Sequence, residues 1–117
     1  MTRAINKVQH CDTMQDVRRA INALDDVLVP LLVERVGYMT QAARIKPLAT
    51  QVRDEARIED IAARVRDQAL REGGNADVME QIYRSMMEAC IAFEHREFAR
   101  LRGDACAVET PESGVSS

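Results

Sequence analysis

The chain has 117 residues and a formal net charge of −3, enough for one domain and too few for two ordinary ones. Sixteen Lys and Arg against nineteen Asp and Glu leave no positive excess to hold phosphate backbones, which argues against a nucleic-acid binder. Trp is absent and Phe and Tyr number two each, so Leu, Ile, Val, Ala and Met supply the apolar surface, a palette for an all-α packing rather than a sandwich or barrel. The first residues contain no apolar leader core, and no later stretch approaches the roughly 20 apolar residues of a membrane span, so a cytoplasmic protein with no membrane partner is expected. Cys11, Cys90 and Cys106 are odd in number and lack CxxC spacing, which indicates neither a disulfide framework nor a zinc site. The His10-Cys11 pair has no second pair to complete a metal site, and neither a metal nor a cofactor is expected.

The first helix is predicted over residues 13–46. Thr13 with Asp16 three positions on is a capping-box variant, and Pro47 stops the helix because the residue before a proline is pushed out of the α region. Its apolar positions run Met14, Val17, Ile21, Leu24, Leu28 and Leu31 in steps of three and four, a heptad-like row. The row continues through Arg35, Tyr38, Ala42 and Ile45. Pro30 removes one backbone hydrogen bond, at a cost of about 3 kcal/mol in a helix interior. The row keeps its phase across Pro30, so a kink is expected rather than a break. A helix of about 34 residues spans roughly 50 Å, more than a compact monomer of this size can enclose. A second copy lying along it is the simplest cover, which predicts an intimate homodimer.

A second helix is predicted over residues 53–71, with Ile58, Ile61, Val65 and Ala69 as its apolar row and Gly73-Gly74 as its end. Asn75 then caps a third helix over residues 76–101. The expected organisation is a flexible tail over residues 1–12, one helical domain over 13–102, and a small, polar, acidic and disordered tail over 103–117.

Several charges stand on apolar faces. Arg35 interrupts the first row, and a guanidinium cannot shed its charge when buried. It requires an anion, which is either an internal carboxylate or a ligand, unless the side chain reaches solvent. Lys46 lies eleven residues on, about 20° away around the helix, so the two cations share a face. A lysine in a last turn also complements the helix dipole. The third helix repeats the anomaly, since Tyr83, Met87, Cys90, Glu94, Phe98 and Leu101 form a stripe with one carboxyl in it. Glu94 is either ion-paired to an arginine or held protonated by desolvation as a hydrogen-bond donor. Arg18 flanks the first row beside Val17. Arg53, Asp54 and Arg57 open the second helix, where arginines oppose the dipole and hint at an external anion unless they are simply solvated. No Ser-His-Asp set, phosphate loop or metal cluster appears. A largely apolar cavity with fixed cations suits a small dianion, bound and rearranged electrostatically.

VRRAINALDDVLVPLLVERVGYMTQAARIK, then VRDEARIEDI, then CIAFEHREF resemble the all-α class of chorismate mutases and, equally, the related isochorismate pyruvate lyases of salicylate biosynthesis. The resemblance covers about residues 14–102. It implies an intertwined homodimer of three-helix chains with the long first helices packed together and two sites built from both chains. Arg18 would enter the partner's site, while Arg35, Lys46, Asp54 and Arg57 serve their own. Arg18 and Arg35 would grip substrate carboxylates. Lys46 would contact a carboxylate and the ether oxygen whose bond breaks. Cys90 and Glu94 fall at pocket-lining positions. Many bacterial mutases have Gln where this chain has Glu94, which must be protonated to donate. Mutases often place Glu directly after Arg57, whereas Ile58 stands here and the lyases are also apolar.

The implied activity is the conversion of chorismate to prephenate in aromatic amino-acid biosynthesis, a pericyclic step needing no nucleophile, base or metal. The alternatives are isochorismate pyruvate lyase activity and a non-catalytic helical dimer whose cations are interface ion pairs.

Overall fold

The computed structural model describes residues 8–103, among which lie three α-helices, a short 3₁₀ turn and no strand. The expected tails fall largely outside the described residues, as does Cys106. Helix α1 spans Met14–Ile45, α2 spans Glu55–Arg71 and α3 spans Ala76–Arg102, with the 3₁₀ turn at Ala49–Gln51. Helix α3 lies between the other two and packs against both.

Each boundary has a local cause. The Thr13 side chain accepts from the Asp16 N–H at 3.0 Å and starts α1. The Asp16 carboxylate accepts from the Asp12 N–H at 3.2 Å, so the reciprocal cap closes one residue before the threonine. That bond is the main cause holding the Asp16 carboxyl below its usual range. Pro30 sits inside α1 without ending it. Its missing N–H would have served the Asp26 carbonyl, and both residues are exposed, so water can take that place. Lys46 leaves the helix with an extended backbone, ψ 131°, as a residue before proline must.

Helix α2 begins later than expected. Asp54 takes the cap position and accepts from the Arg57 N–H at 3.0 Å, which leaves Arg53 outside the helix. At the other end Gly73 adopts a positive φ of 77°. The Gly74 N–H reaches the Ala69 carbonyl at 2.7 Å and the Gly73 N–H reaches that of Leu70 at 3.1 Å. This is the paired closure that glycine makes at a helix end. Asn75 follows at once, accepting from the Val78 N–H at 3.0 Å.

The core is small. Ile58 and Ile61 of α2 meet Met87 of α3, with Val65, Tyr83 and Ile91 packed around them. Outside this core a ladder of ion pairs ties α2 and the residue before its cap to α3: Arg53 to Glu88, Arg84 to Glu59, and Arg66 to Glu80 and Asp77, with Arg84 also held by Glu80 on its own helix.

Helix α1 behaves differently along its length. Every residue from 18 to 31 is exposed, including Ile21, Leu24, Leu28 and Leu31. Beyond that point the face turned inward is Leu32, Val36, Met39, Thr40 and Ala43. The Thr40 hydroxyl donates to Glu97 on α3 at 2.8 Å. The apolar row predicted to continue through Tyr38 and Ile45 does not enter the core, since those residues are 61% and 67% exposed. Arg35 and Ala42 lie at the edge between the open row and the packed face. The radius of gyration is 18.1 Å and the extents are 57 × 30 × 27 Å, against about 13 Å expected for the radius of a compact domain.

Candidate active site

Six of the side chains singled out above converge beside the C-terminal part of α1. Arg35 and Lys46 come from one face of α1, Asp54 and Arg57 from the start of α2, and Cys90 and Glu94 from the buried stripe of α3. All six line a cavity of about 370 Å³. Met39, Ala42, Ile58, Ile61, Met87 and Ile91 give it an apolar wall.

Arg35 is half-buried and has no ion pair among the described residues. One guanidinium N–H points at the Cys90 sulfur at 3.7 Å, and the guanidinium carbon stands 5.7 Å from the centre of the Tyr83 ring. Sulfur is a weak acceptor and a ring face a modest partner for a cation. The charge is therefore held in place with much of its hydrogen-bonding capacity uncommitted.

Glu94 is buried, with 3% of its surface exposed. Its partner is not an arginine, as one reading of the sequence expected, but the Lys46 ammonium at 2.8 Å. The same ammonium donates to the Val52 carbonyl at 3.4 Å. An ammonium has three N–H donors, so one remains for a ligand. Lys46 thus serves neither as a solvated last-turn residue nor as a bare point charge.

Asp54 and Arg57 contribute differently. One oxygen of Asp54 is committed to capping α2. The Arg57 side chain makes only a long contact with Asp60, 3.4 Å, between two exposed groups, and remains available to the cavity. Arg53 does not belong to the site. Its guanidinium is engaged by Glu55 at 2.6 Å and by both oxygens of Glu88, which removes the hint of an external anion there.

Arg18 is absent from this cavity. It lies 17 residues before Arg35 on the same helix, about 25 Å along the axis and beyond the reach of its side chain. It is exposed and makes no ion pair among the described residues.

Sequence reasoning did not find Val52, whose carbonyl receives the lysine, or the use of Tyr83 as the surface beneath Arg35. A backbone acceptor leaves no trace in the sequence. Tyr83 was visible as the stripe member two turns before Cys90, but only three-dimensional packing shows which cation it faces. Cys11 and Cys90 are free thiols. Among the described residues no cluster of His, Cys, Asp or Glu could hold a metal ion, and no helix is long and apolar enough to cross a membrane.

Three cations and two carboxylates in a mostly apolar cavity can receive an anionic ligand, fix its orientation and stabilise developing negative charge. No curated protein matches the chain. The family model for chorismate mutase type II matches residues 17–95, about two thirds of the sequence, and spans every cavity-lining residue named above. The chain belongs to the type II chorismate mutase family.

Proposed function

We propose that this protein is a chorismate mutase, converting chorismate to prephenate without cofactor or metal. The observation that carries the reading is Arg35, a cation in an apolar wall with no carboxylate partner among the described residues, facing the same cavity as the Lys46–Glu94 pair. A structural arginine would have an acidic partner; this one is left for a substrate carboxylate.

The chemistry asks little else of the protein. In the rearrangement the ether C–O bond breaks as a C–C bond forms, and negative charge grows on the ether oxygen. The site must hold the compact conformer and meet that charge with donors already in place. Arg35 grips a carboxylate. The third N–H of Lys46 reaches a carboxylate and the ether oxygen. Glu94, when protonated, donates to that oxygen from the other side. Asp54 and Arg57 border the ring end of the cavity, and Cys90 contributes its wall.

The active form is a homodimer in this reading. Ile21, Leu24, Leu28 and Leu31 are exposed in one row on α1, and a second copy along that row would bury them. It would also bring its Arg18 to a site that its own chain cannot reach. The catalytic unit is the helical region, residues 13–102, flanked by the segments 1–12 and 103–117, and the protein acts in the cytoplasm.

One observation favours a second reading. Ile58 lines the cavity directly after Arg57, where a carboxylate to hold a ring hydroxyl would suit a mutase. An apolar side chain there also suits isochorismate pyruvate lyase activity, giving salicylate and pyruvate. Incubation with chorismate and separately with isochorismate, with products identified by chromatography and mass spectrometry, decides the matter. Prephenate from chorismate supports the first reading, salicylate from isochorismate the second, and turnover of neither overturns both.

A further inference from the structure

Helix α1 ends in a way that creates an unusual debt. The carbonyl of Ala43 would ordinarily accept from the N–H four residues on, but that residue is Pro47, which has none. Ala43 is also fully buried, with 0% of its surface exposed, so water is a poor substitute. An orphaned buried carbonyl is costly.

Arg102, at the last position of α3, supplies the missing donor. One guanidinium nitrogen donates to the Ala43 carbonyl at 2.8 Å and the other to the Lys46 carbonyl at 2.5 Å. The guanidinium carbon lies 3.5 Å from the centre of the Phe98 ring, one turn earlier on the same helix. Stacking on that ring fixes the plane of the fork before it meets the two carbonyls. Gly103, with a φ of 60°, closes α3 directly afterwards.

The second carbonyl belongs to the residue whose ammonium is bonded to Glu94. Lys46 has already left the helix, so α1 itself no longer fixes its carbonyl end. Two anchors then determine where the side chain starts: the bond from its own N–H to the Ala42 carbonyl at 3.0 Å, and Arg102. Glu94 and Arg102 lie on the same helix two turns apart, so α3 holds Lys46 at both its backbone and its charged tip.

We propose that Arg102 is a positioning residue for Lys46, setting the ammonium against Glu94 and the cavity without touching a ligand itself. The inference rests on the reading of Lys46 as a substrate-contacting group. In the full-length protein it predicts that Arg102→Ala loosens the end of α1 and lets Lys46 leave Glu94. A displacement of about 1 Å in such a group costs about tenfold to a hundredfold in rate. The loss should fall on kcat, with KM changing little, because Arg35 is untouched.

The chain contains only two lysines, Lys7 and Lys46, so a ¹³C-lysine-labelled protein gives a sparse spectrum in which Lys46→Arg assigns the Lys46 Cε signal. The test compares that signal, without any substrate, in wild type, Arg102→Ala and Arg102→Gln. The glutamine variant retains an amide donor and guards against simple unfolding of the alanine variant. The expected result is a Lys46 signal moved toward that of free lysine in both folded variants, further in Arg102→Ala, together with the kcat loss on whichever substrate wild type converts. A Lys46 signal that coincides with wild type in both variants overturns the proposal, even if stability or activity falls. Failure of the catalytic reading is separately visible, because wild type would then convert neither chorismate nor isochorismate while the Lys46 signal is still read.

Discussion

Lys46 and Glu94 stand 48 residues apart in the sequence and meet at 2.8 Å on the wall of the cavity. The first closes the long helix and the second lies in the buried stripe of α3, so their contact ties the site to the α1–α3 packing. The glutamate is almost fully buried, whereas 29% of the lysine side chain remains exposed. That asymmetry lets the ammonium neutralise the carboxyl on one side and face a ligand on the other.

Arg35→Ala is expected to abolish turnover and leave the fold largely intact. Loss of a carboxylate grip costs several kcal/mol of transition-state stabilisation, on the order of a thousandfold in kcat/KM. Since Arg35 has no ion pair among the described residues, its removal strands no buried carboxylate, and thermal unfolding should move by only a few degrees. Steady-state kinetics and a melting curve on the same preparation check both halves. A variant that melts far below wild type yet keeps normal activity would remove Arg35 from the site.

The proposed dimer makes a separate prediction. Leu24 and Leu28 are 45% and 47% exposed on the open row of α1, so Leu24→Asp or Leu28→Asp should leave the single chain's contacts nearly untouched. Either change should nevertheless dissociate the protein and cut activity, because charge in a coiled-coil-like seam is strongly unfavourable. Sedimentation at micromolar concentration, read beside activity, is the measurement. A compact wild-type monomer with full activity would rule the dimer out.

Much of this arrangement was legible in the sequence because helical periodicity reports burial directly. The steps through Tyr83, Met87, Cys90 and Glu94 marked the buried face of α3, and Ile58, Ile61, Val65 and Ala69 marked that of α2. The inward face of α1 was not legible. Leu32, Val36, Met39 and Ala43 form a second apolar set one residue out of phase with the row ending at Leu31, and periodicity cannot say which set meets this chain and which is left open. Arg53 was ambiguous for another reason. Glu88, its main partner, lies 35 residues away, and an ion pair between segments so distant in sequence has no spacing to betray it.

The ladder between α2 and α3 predicts acid sensitivity. Arg84 holds the carboxyl of Glu59 below its ordinary value of 4.5, and Arg53 does the same for Glu88. Glu80 is lowered by Arg84 first and then by Arg66. A carboxyl whose folded pKa is depressed contributes stability that is present above the unfolded value and lost as pH falls through the folded one. The melting temperature should therefore decline as pH drops below about 4.5, and less steeply in Glu59→Gln and Glu88→Gln. Glu59 and Glu88 are exposed and Glu80 is half-buried, so added salt should weaken the effect, least at Glu80. An identical pH slope in wild type and both variants would show that the ladder is energetically silent.

The final prediction concerns the donor at Glu94. To stabilise charge on the ether oxygen, this side chain must act as a hydrogen-bond donor. Glu94→Gln keeps the shape of the side chain and supplies an amide donor, so it should remain active. Glu94→Ala offers no donor and should lose on the order of a hundredfold or more in kcat/KM. Both substitutions remove the charge partner of Lys46, but that ammonium reaches solvent, so the cost to Glu94→Gln in stability should stay at about 1–2 kcal/mol rather than the larger loss of a fully buried pair. The measurement is kcat/KM of all three proteins on chorismate, repeated with isochorismate if the first activity is weak, beside a melting curve. A glutamine variant as inactive as the alanine variant, with its fold intact, would show that no donor operates there. Glu94 would then be the anionic partner that fixes Lys46, with the lysine alone meeting the ether oxygen.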